Sequence, residues 1–199
     1  MAKRIFDILF AAIGLIVLLP LFVLLAVAIK IDSKGPVFYR QERVGQFGRI
    51  FKIHKFRTMA TEQEKTSLQI TVGADKRITR IGRFIRKIKL DELAQLLDVL
   101  IGTMSLVGPR PEVPRYVACY PNDIRDLVLS VKPGITDRAS IEFKDESAML
   151  AQARNPESVY IEKILPIKLG YYVDYVNDNS VRGDMKIILA TLLALIKLP

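Results

Sequence analysis

Two adjacent carboxylates, Asp91 and Glu92, stand where a strongly basic segment meets an apolar-periodic one. They open the stretch KLDELAQLLDVLIGTMSLVGPRPE, which ends in a Gly-Pro-Arg-Pro loop that carries Arg110. An acidic pair at the start of a helix is most often an N-terminal cap, because free N–H groups and the helix dipole favour negative charge there. The alternative is a chemical role, which the neighbouring cations and the returning arginine favour.

Seven basic side chains and no acidic one lie across residues 76–89, directly before the acidic pair. Ile78, Ile81, Ile85 and Ile88 are spaced 3, 4 and 3 residues apart, which predicts a helix with one apolar face. Because so many cations repel one another, we expect an anion to offset them. The chain has no Trp to stack on bases, so a phosphate group or an anionic membrane is favoured over nucleic acid.

A leucine stripe follows the acidic pair and predicts a second helix. Its members have the same 3-4-3 spacing: Leu90, Leu93, Leu97 and Leu100. The pattern places these leucines towards the core and the polar side chains of Asp91, Gln95 and Asp98 on the opposite face. We therefore expect Asp91 to project away from the core at the first turn of the helix.

Two short strands are predicted before the basic cluster. Residues 37–39 form the first, and Ile50–Phe56 forms the second, in which apolar and polar residues alternate. Gly45 and Gly48 bound the connection between them, which is typical of a hairpin turn.

The N-terminus carries 22 uncharged residues at positions 8–29, about 33 Å as a straight helix. The run exceeds the apolar region usual in a cleaved signal peptide. A spanning helix and a re-entrant wedge both remain open, because Pro20 predicts a kink near the middle. Basic residues flank both ends, which favours neither orientation and suits two ends on one side: Lys3, Arg4, Lys30 and Lys34.

The composition favours a membrane surface. The 199-residue chain has a net charge of +9 and a positive mean hydropathy of +0.24, a combination that suits anionic headgroups. The single cysteine, Cys119, excludes an internal disulfide, and one histidine leaves no histidine-rich metal site. The apolar residues 187–196 are too few to cross a bilayer and predict a core or interfacial helix.

Several motifs occur together in a specific order along the chain. They are RVGQFGRIFKIHKFRTM (43–59), RITRIGRFIRKIKLDEL (77–93), MSLVGPRPE (104–112), KPGIT (132–136), and Tyr171-Tyr172 with Ser180 and Asp184. With them, the chain resembles the bacterial monotopic phosphoglycosyl transferases, the small sugar transferase family, nearly from end to end.

The resemblance implies a helix-rich α+β fold at the cytoplasmic face of a bacterial inner membrane. Residues 1–33 would form a re-entrant helix-break-helix wedge, and residues 34–199 a catalytic domain. A small β-hairpin or sheet and amphipathic interfacial helices would surround an active site at the membrane surface.

The resemblance also implies a Mg²⁺-dependent transfer of a sugar-1-phosphate from a UDP-sugar to a polyprenyl (undecaprenyl) phosphate, with release of UMP. Asp91 would be the nucleophile that forms an aspartyl-phosphosugar, and Glu92 its partner as metal ligand or in proton transfer. The product would feed later glycosyltransferases of a surface glycan pathway. A non-enzymatic alternative, a membrane-tethered basic adaptor for anionic lipid or nucleic acid, would not require the two carboxylates.

Further site residues follow from the same chemistry. The candidates for phosphate binding are Arg86, Arg110, Lys55 and Arg57, and those for the sugar or nucleotide are Arg138 and Glu142. The chain departs from the family at Leu19, Thr103 and Asp137-Arg138. The first departure leaves the wedge geometry open, and the last leaves the sugar open.

Overall fold

The computed structural model describes residues 1–60, 75 and 77–196. Within them the fold is α+β and helix-rich, as predicted. The helices are α1 (Ala2–Asp32), α2 (Arg80–Lys87), α3 (Leu96–Ile101), α4 (Pro114–Val117), α5 (Asn122–Val128), α6 (Arg138–Glu142), α7 (Glu146–Ala151), α8 (Pro156–Val159), α9 (Leu165–Asn177) and α10 (Val181–Ile196). The strands are β1 (Phe38–Val44), β2 (Ile50–Phe56), β3 (Ser105–Val107) and β4 (Gly134–Thr136).

Strands β1 and β2 form an antiparallel hairpin in which Phe38 faces Phe56 and Val44 faces Ile50. The turn contains two left-handed residues, Phe47 with φ 57° and Gly48 with φ 74°. The hairpin and the bounds of β2 are confirmed, whereas β1 extends beyond the predicted 37–39.

Strands β3 and β4 form a parallel pair. Next to this pair, the backbones at Gly108 and Gly134 come very close to each other. A Cβ atom on Gly134 would lie 2.1 Å from the backbone nitrogen of Gly108, so no side chain fits at this position. Backbone bonds tie the two segments together, from the Gly134 N–H to the Pro109 carbonyl and from the Gly108 N–H to the Thr136 carbonyl. This contact fixes the start of the loop that carries Arg110.

Helix α1 is long and apolar enough to cross a membrane, judged by length and composition. Helix is assigned continuously from Ala2 to Asp32, with Pro20 inside it, so the predicted break does not interrupt the helix. Many large apolar side chains along α1 are exposed, among them Ile16, Leu24 and Ile31. The re-entrant wedge and the domain boundary at residue 33 stay predictions.

Both ends of α1 are bonded to the rest of the protein. Near its start, the Arg4 guanidinium donates to the backbone carbonyls of Val99 and Leu100 on α3. At its end, the Arg57 guanidinium donates to the carbonyls of Ser33 and Lys34 at 2.7 Å. The helix therefore packs along the protein over most of its length.

The leucine stripe after the acidic pair is only partly buried, whereas the polar side chains that were predicted to lie on the opposite face are buried. The segment begins as a 3₁₀-helix, Leu90–Gln95, before α3. Asp91, Gln95 and Asp98 are buried together with apolar residues of the same segment, and Leu90 and Leu100 pack against hydrophobic clusters. A partner on another element explains the burial of Asp98, which accepts hydrogen bonds from the backbone N–H and the ring of His54.

The predicted C-terminal helix is present as α10 and is amphipathic with an apolar exposed side. Ile187 is buried, whereas Met185, Leu189, Leu192 and Leu193 are each about half exposed. A soluble core helix would bury such residues, so this face, like that of α1, remains available to an apolar environment.

Candidate active site

A strained backbone position precedes the two carboxylates. Helix α2 ends at Lys87, and Lys89 adopts φ 57° and ψ 23°, a left-handed conformation that is unfavourable for a residue with a side chain. The chain then turns into the 3₁₀-helix, whose first turn contains Asp91 and Glu92. Residues held in sparsely populated backbone regions cluster at functional sites. The sharp turn separates the basic helix from the acidic pair and leaves both beside one cavity.

Glu92 is held by two cations that the sequence analysis predicted. Its Oε1 accepts from the Lys55 ammonium at 2.9 Å, and its Oε2 accepts from Arg110 Nη1 at 3.1 Å. Arg110 Nη2 also donates to Oε1, so the guanidinium grips the carboxylate through both nitrogens. The Gly-Pro-Arg-Pro loop and strand β2 thus meet on this side chain.

These contacts determine the charge of Glu92. Burial by itself would raise the pKa of Glu92, but the Arg110 and Lys55 cations and their hydrogen bonds hold that pKa well below its usual value. The Glu92 anion in turn raises the pKa of Arg110 well above its usual value, against the opposing effect of burial. Burial lowers the pKa of Lys55, an effect that Glu92 partly offsets. Glu92 is therefore a fixed anion.

Asp91 lies beside it in a different situation. Its side chain is nearly buried, at 8% exposure, and neither carboxylate oxygen accepts a hydrogen bond from any residue that the structure describes. Burial raises the pKa of Asp91, opposed by Lys55, reinforced by Glu92 and opposed again by Arg86 and Lys89. A desolvated carboxylate without hydrogen bonds retains its lone pairs, as a nucleophile requires. Asp91 was expected to project away from the core, and the structure places it at the wall of a cavity, where it is nearly buried.

The cavity has a volume of about 1340 Å³ and unites most of the predicted phosphate-binding residues. Its lining includes the dyad and these basic side chains: Arg43, Lys55, Arg57, Arg77, Arg86, Lys89, Arg110 and Arg115. Lys76 belongs to the predicted basic cluster but lies outside the described residues. Cations lining a cavity around carboxylates predict a polyanionic substrate.

Three predicted residues are not free to bind a substrate or do not line the cavity. Arg57 lines the cavity, but its terminal nitrogens are bonded to the carbonyls at the end of α1. Arg138 and Glu142 are exposed on α6 and are not among the residues that line the cavity. Their neighbours Ser140 and Ile141 on the same helix do line it.

Two site residues were missed although their motifs were noted. Arg43, near the end of β1, has a side chain that is only 13% exposed, and its burial lowers its pKa. It lies 3.7 Å from the carboxylate of Glu112, which also accepts from the Tyr160 hydroxyl at 2.6 Å. Glu112 is the last residue of the Gly-Pro-Arg-Pro-Glu motif. Its position two residues after Arg110 in the sequence could have indicated that it lies near the site.

A divalent cation would have few protein ligands here. Within the described residues, no group of three or more His, Cys, Asp or Glu side chains is close enough to hold a metal. Asp91 and Glu92 are adjacent carboxylates that both line the cavity, which Glu42, Glu112 and Glu146 also line. Mg²⁺ commonly binds one or two carboxylates and takes its other ligands from substrate phosphates and water, so this pair fits such an ion.

Comparison with known families decides which class of site this is. The model for bacterial sugar transferases matches residues 1–198. The chain belongs to the bacterial sugar transferase family. This confirms the resemblance drawn from the motifs, and it places the dyad, the basic helix and the GPRP loop in a transferase.

Named relatives of this sugar transferase act on undecaprenyl phosphate. The UDP-glucose:undecaprenyl-phosphate glucose-1-phosphate transferase of Xanthomonas campestris pv. campestris is 39% identical over 194 residues, which are 96% of this chain and 38% of that protein. The UDP-N-acetylgalactosamine-undecaprenyl-phosphate N-acetylgalactosaminephosphotransferase of Aeromonas hydrophila is 43% identical over 141 residues, 70% of this chain and 33% of that protein.

A third relative is covered more fully. The UDP-glucose:undecaprenyl-phosphate glucose-1-phosphate transferase of Caulobacter vibrioides is 34% identical over 196 residues, 98% of this chain and 69% of that protein. The chain thus spans less than half of the first two relatives and about two thirds of the third.

Proposed function

We propose that this protein transfers a sugar-1-phosphate from a UDP-sugar to a polyprenyl phosphate, giving a polyprenyl-diphosphate-sugar and UMP. The observation that carries the proposal is Asp91, a desolvated carboxylate without hydrogen bonds in a cation-lined cavity, next to the fixed anion Glu92. The names of the relatives supply the two substrate classes. The product would feed later glycosyltransferases that extend the glycan.

The reaction runs in two displacements. A carboxylate oxygen of Asp91 attacks the phosphorus that bears the sugar, and the bond from that phosphorus to the bridging oxygen of UMP breaks. UMP leaves with the electron pair, and an aspartyl-phosphosugar remains. An oxygen of the polyprenyl phosphate then attacks the same phosphorus and releases Asp91 as the free carboxylate. Because the intermediate is covalent, the soluble donor and the lipid acceptor can use the cavity in turn.

The basic side chains make the approach of two anions possible. An anionic carboxylate and a diphosphate repel each other unless cations offset the charge. Arg86 lies on α2, and Lys89 lies at the strained turn. Both lower the pKa of Asp91, because a nearby positive charge stabilises the ionised carboxylate. Lys55 and Arg110 already neutralise Glu92, so Arg86 and Lys89 are our candidates for binding the incoming phosphates.

Asp91 and Glu92 would hold the Mg²⁺ ion that this reaction class uses. When bound, the ion would neutralise charge on the diphosphate and on the leaving UMP. The role of Glu92 in this arrangement is to stay ionised, because Arg110 and Lys55 hold its pKa well below the usual value. It orients the guanidinium of Arg110 by the same contacts.

The opposite wall of the cavity is apolar and suits a lipid acceptor. It is formed by Phe10 and Gly14 of α1 and by Ile188, Leu192 and Leu195 of α10. These two helices also carry the exposed apolar faces described above, so a prenyl chain in a bilayer could reach the cavity between them. This arrangement supports catalysis at the surface of the cytoplasmic membrane, with the basic wall towards the cytosol.

The contacts at both ends of α1 support a re-entrant helix. A helix that crosses a bilayer separates its ends by the thickness of the membrane, whereas both ends here bond to the same catalytic body. We infer that α1 enters one leaflet with its exposed apolar side. The test uses Ala2→Cys and Lys34→Cys in a Cys119→Ser background, since Cys119 is exposed.

An impermeant maleimide applied to intact spheroplasts and then to lysed cells reads the topology. The wedge predicts that both cysteines react only after lysis. Reaction of one cysteine in intact spheroplasts and the other only after lysis would show a spanning helix.

The function itself is tested by UMP release. Purified protein in lipid discs is incubated with Mg²⁺, polyprenyl phosphate and each of several UDP-sugars. Release that needs all three components supports the proposal, and labelled phosphosugar bound to the protein supports the covalent route. Binding to anionic vesicles without any UMP release would favour the non-enzymatic adaptor.

A further inference from the structure

A second polar cluster lines the same cavity on the wall formed by α6, α7 and α9. Its centre is Lys168, which pairs with the carboxylate of Glu146. Phe143, Tyr160 and Ser140 surround the pair and also line the cavity. None of these residues takes part in the phosphate chemistry proposed above, so the cluster needs a separate explanation.

Lys168 is unusual because it lies on the buried side of α9. Its side chain is 5% exposed, and it shares this side with the buried Leu165, Leu169 and Tyr172. Lys168 is the buried member of the pair, since the Glu146 side chain is 26% exposed, and the cost of removing the ammonium from water offsets much of the attraction. An apolar pair of similar size would serve the core at least as well. The charges are therefore better explained by contact with something in the cavity.

Two aromatic rings flank the ammonium group. Lys168 Nζ lies 5.0 Å from the centre of the Tyr160 ring and 5.9 Å from that of Phe143. Tyr160 begins a π-helix, Tyr160–Ile164, and such segments often occur at functional sites. Its hydroxyl donates a hydrogen bond to Glu112, which lies two residues after Arg110 in the sequence. This hydrogen bond joins the wall to the Gly-Pro-Arg-Pro loop.

The chemistry of this wall fits a hydroxylated ring rather than another phosphate. An ammonium group donates hydrogen bonds, a carboxylate accepts them, and aromatic rings pack against the C–H groups of a ring. A phosphate would be repelled by Glu146. Ser140 already donates its hydroxyl to Asp137 at 2.6 Å, so that oxygen remains available as an acceptor.

We propose that Lys168 and Glu146 bind hydroxyl groups of the sugar in the UDP-sugar and select which sugar is transferred. This inference rests on the proposed function. A site that hydrogen-bonds a substrate hydroxyl discriminates strongly against an analogue that lacks the group or presents it differently, because its buried polar atoms are then left unpaired. The alternative occupant with hydroxyl groups is the ribose of the nucleotide.

The experiment compares sugar preference in three variants of the full-length protein. Lys168→Met removes the charge and keeps the length, Glu146→Gln keeps the size of its partner, and Lys163→Met is the matched control at an exposed position one helical turn earlier. UMP release gives kcat/KM for UDP-glucose, UDP-galactose and their two N-acetylated counterparts. Inhibition by UMP is measured in parallel.

We expect the ratio of kcat/KM between the best sugar and its epimer to change by at least about fivefold in both pair variants. Inhibition by UMP should stay within about twofold of the wild type, because UMP lacks the sugar. Lys163→Met should leave both quantities unchanged. Since Glu146→Gln is isosteric, it tests the inference even where Lys168→Met fails to fold.

Two results would overturn the inference. An equal loss for all four sugars with weaker inhibition by UMP would assign the pair to the nucleotide. Unchanged ratios in Glu146→Gln would assign it to structure alone. Failure of the proposed function is distinguishable, because wild-type protein would then release no UMP from any of the sugars.

Discussion

Two groups of buried carboxylates in this protein differ in one decisive respect. Asp184 is fully buried and accepts from Lys3 at 2.5 Å and from the Tyr175 hydroxyl at 3.0 Å. Asp7, nearby, accepts from Ser105 and from a backbone N–H. Asp91 is almost as buried and accepts no hydrogen bond within the described residues. Burial is common to Asp7, Asp184 and Asp91, whereas only the first two accept hydrogen bonds from residues that the structure describes.

The difference distinguishes structural carboxylates from Asp91, the proposed nucleophile. The carboxylates at the chain ends have their oxygens occupied, so they hold α1, β3 and α9 in place. Asp91 has Lys55, Arg86 and Lys89 near enough to act on its pKa without bonding its oxygens. A buried charge that keeps its lone pairs costs stability, and such a cost is expected where reactivity is needed.

The largest expected effect comes from Asp91→Asn. Turnover should fall by ~10⁴-fold or more, because the nucleophile is removed. Stability should not fall, because burial raises the pKa of Asp91 and thus disfavours its charged form in the folded protein. UMP release, trapping of labelled phosphosugar and thermal unfolding measure the three quantities. Labelling equal to that of the wild type would refute the assignment.

Arg110→Gln should have the next largest effect. The variant loses the two-nitrogen grip on Glu92, and we expect kcat to fall by about 10²–10³-fold, the scale for one electrostatic contact in a transition state. Arg115→Gln is the control, since Arg115 also lines the cavity but forms an exposed ion pair with Glu157. Equal losses in the two variants would show that only the total charge of the cavity matters.

Asp184→Asn should lower stability and leave kcat nearly unchanged, which is the opposite of the result expected for Asp91→Asn. Loss of the ion pair with Lys3 should lower the free energy of unfolding by about 2 kcal/mol. The folded protein should keep its kcat within about threefold, because Asp184 is not a cavity residue. Denaturant titration checks the first value, with exposed Asp178→Asn as control. A large loss of kcat at full stability would remove the distinction between the two regions.

The smallest effect concerns pH. Because burial raises the pKa of Asp91, the nucleophile loses its charge at a higher pH than an ordinary aspartate, and kcat/KM should fall about tenfold per pH unit below that pKa. Arg86 lowers the pKa of Asp91, so Arg86→Gln should move the acid limb of the profile to higher pH. A limb that stays in place or moves to lower pH would contradict the assignment.

The sequence predicted the site better than the packing around it. Asp91, Glu92, Arg110 and Lys55 meet as expected, because their motifs encode charge at fixed positions along the chain. The burial of Asp91, Gln95 and Asp98 was not predicted, since hydrophobicity does not show that Asp98 has a partner in His54.

Long-range contacts explain the other differences. Arg57 was expected to bind phosphate, but it lies against the end of α1, a neighbour that is 24 residues away in the chain. Lys168 was overlooked, although a lysine within an otherwise apolar side of a helix is a readable sign. Local patterns describe one segment at a time, whereas both of these side chains are explained by their partners.

The ion pair between Lys3 and Asp184 joins residues 181 positions apart. During synthesis on the ribosome, α1 leaves the exit tunnel long before Asp184 has been translated. Helix α1 is therefore synthesised well before its partner Asp184, and this contact can form only after α10 has been made. The protein should depend on membrane insertion that precedes folding of its cytosolic part.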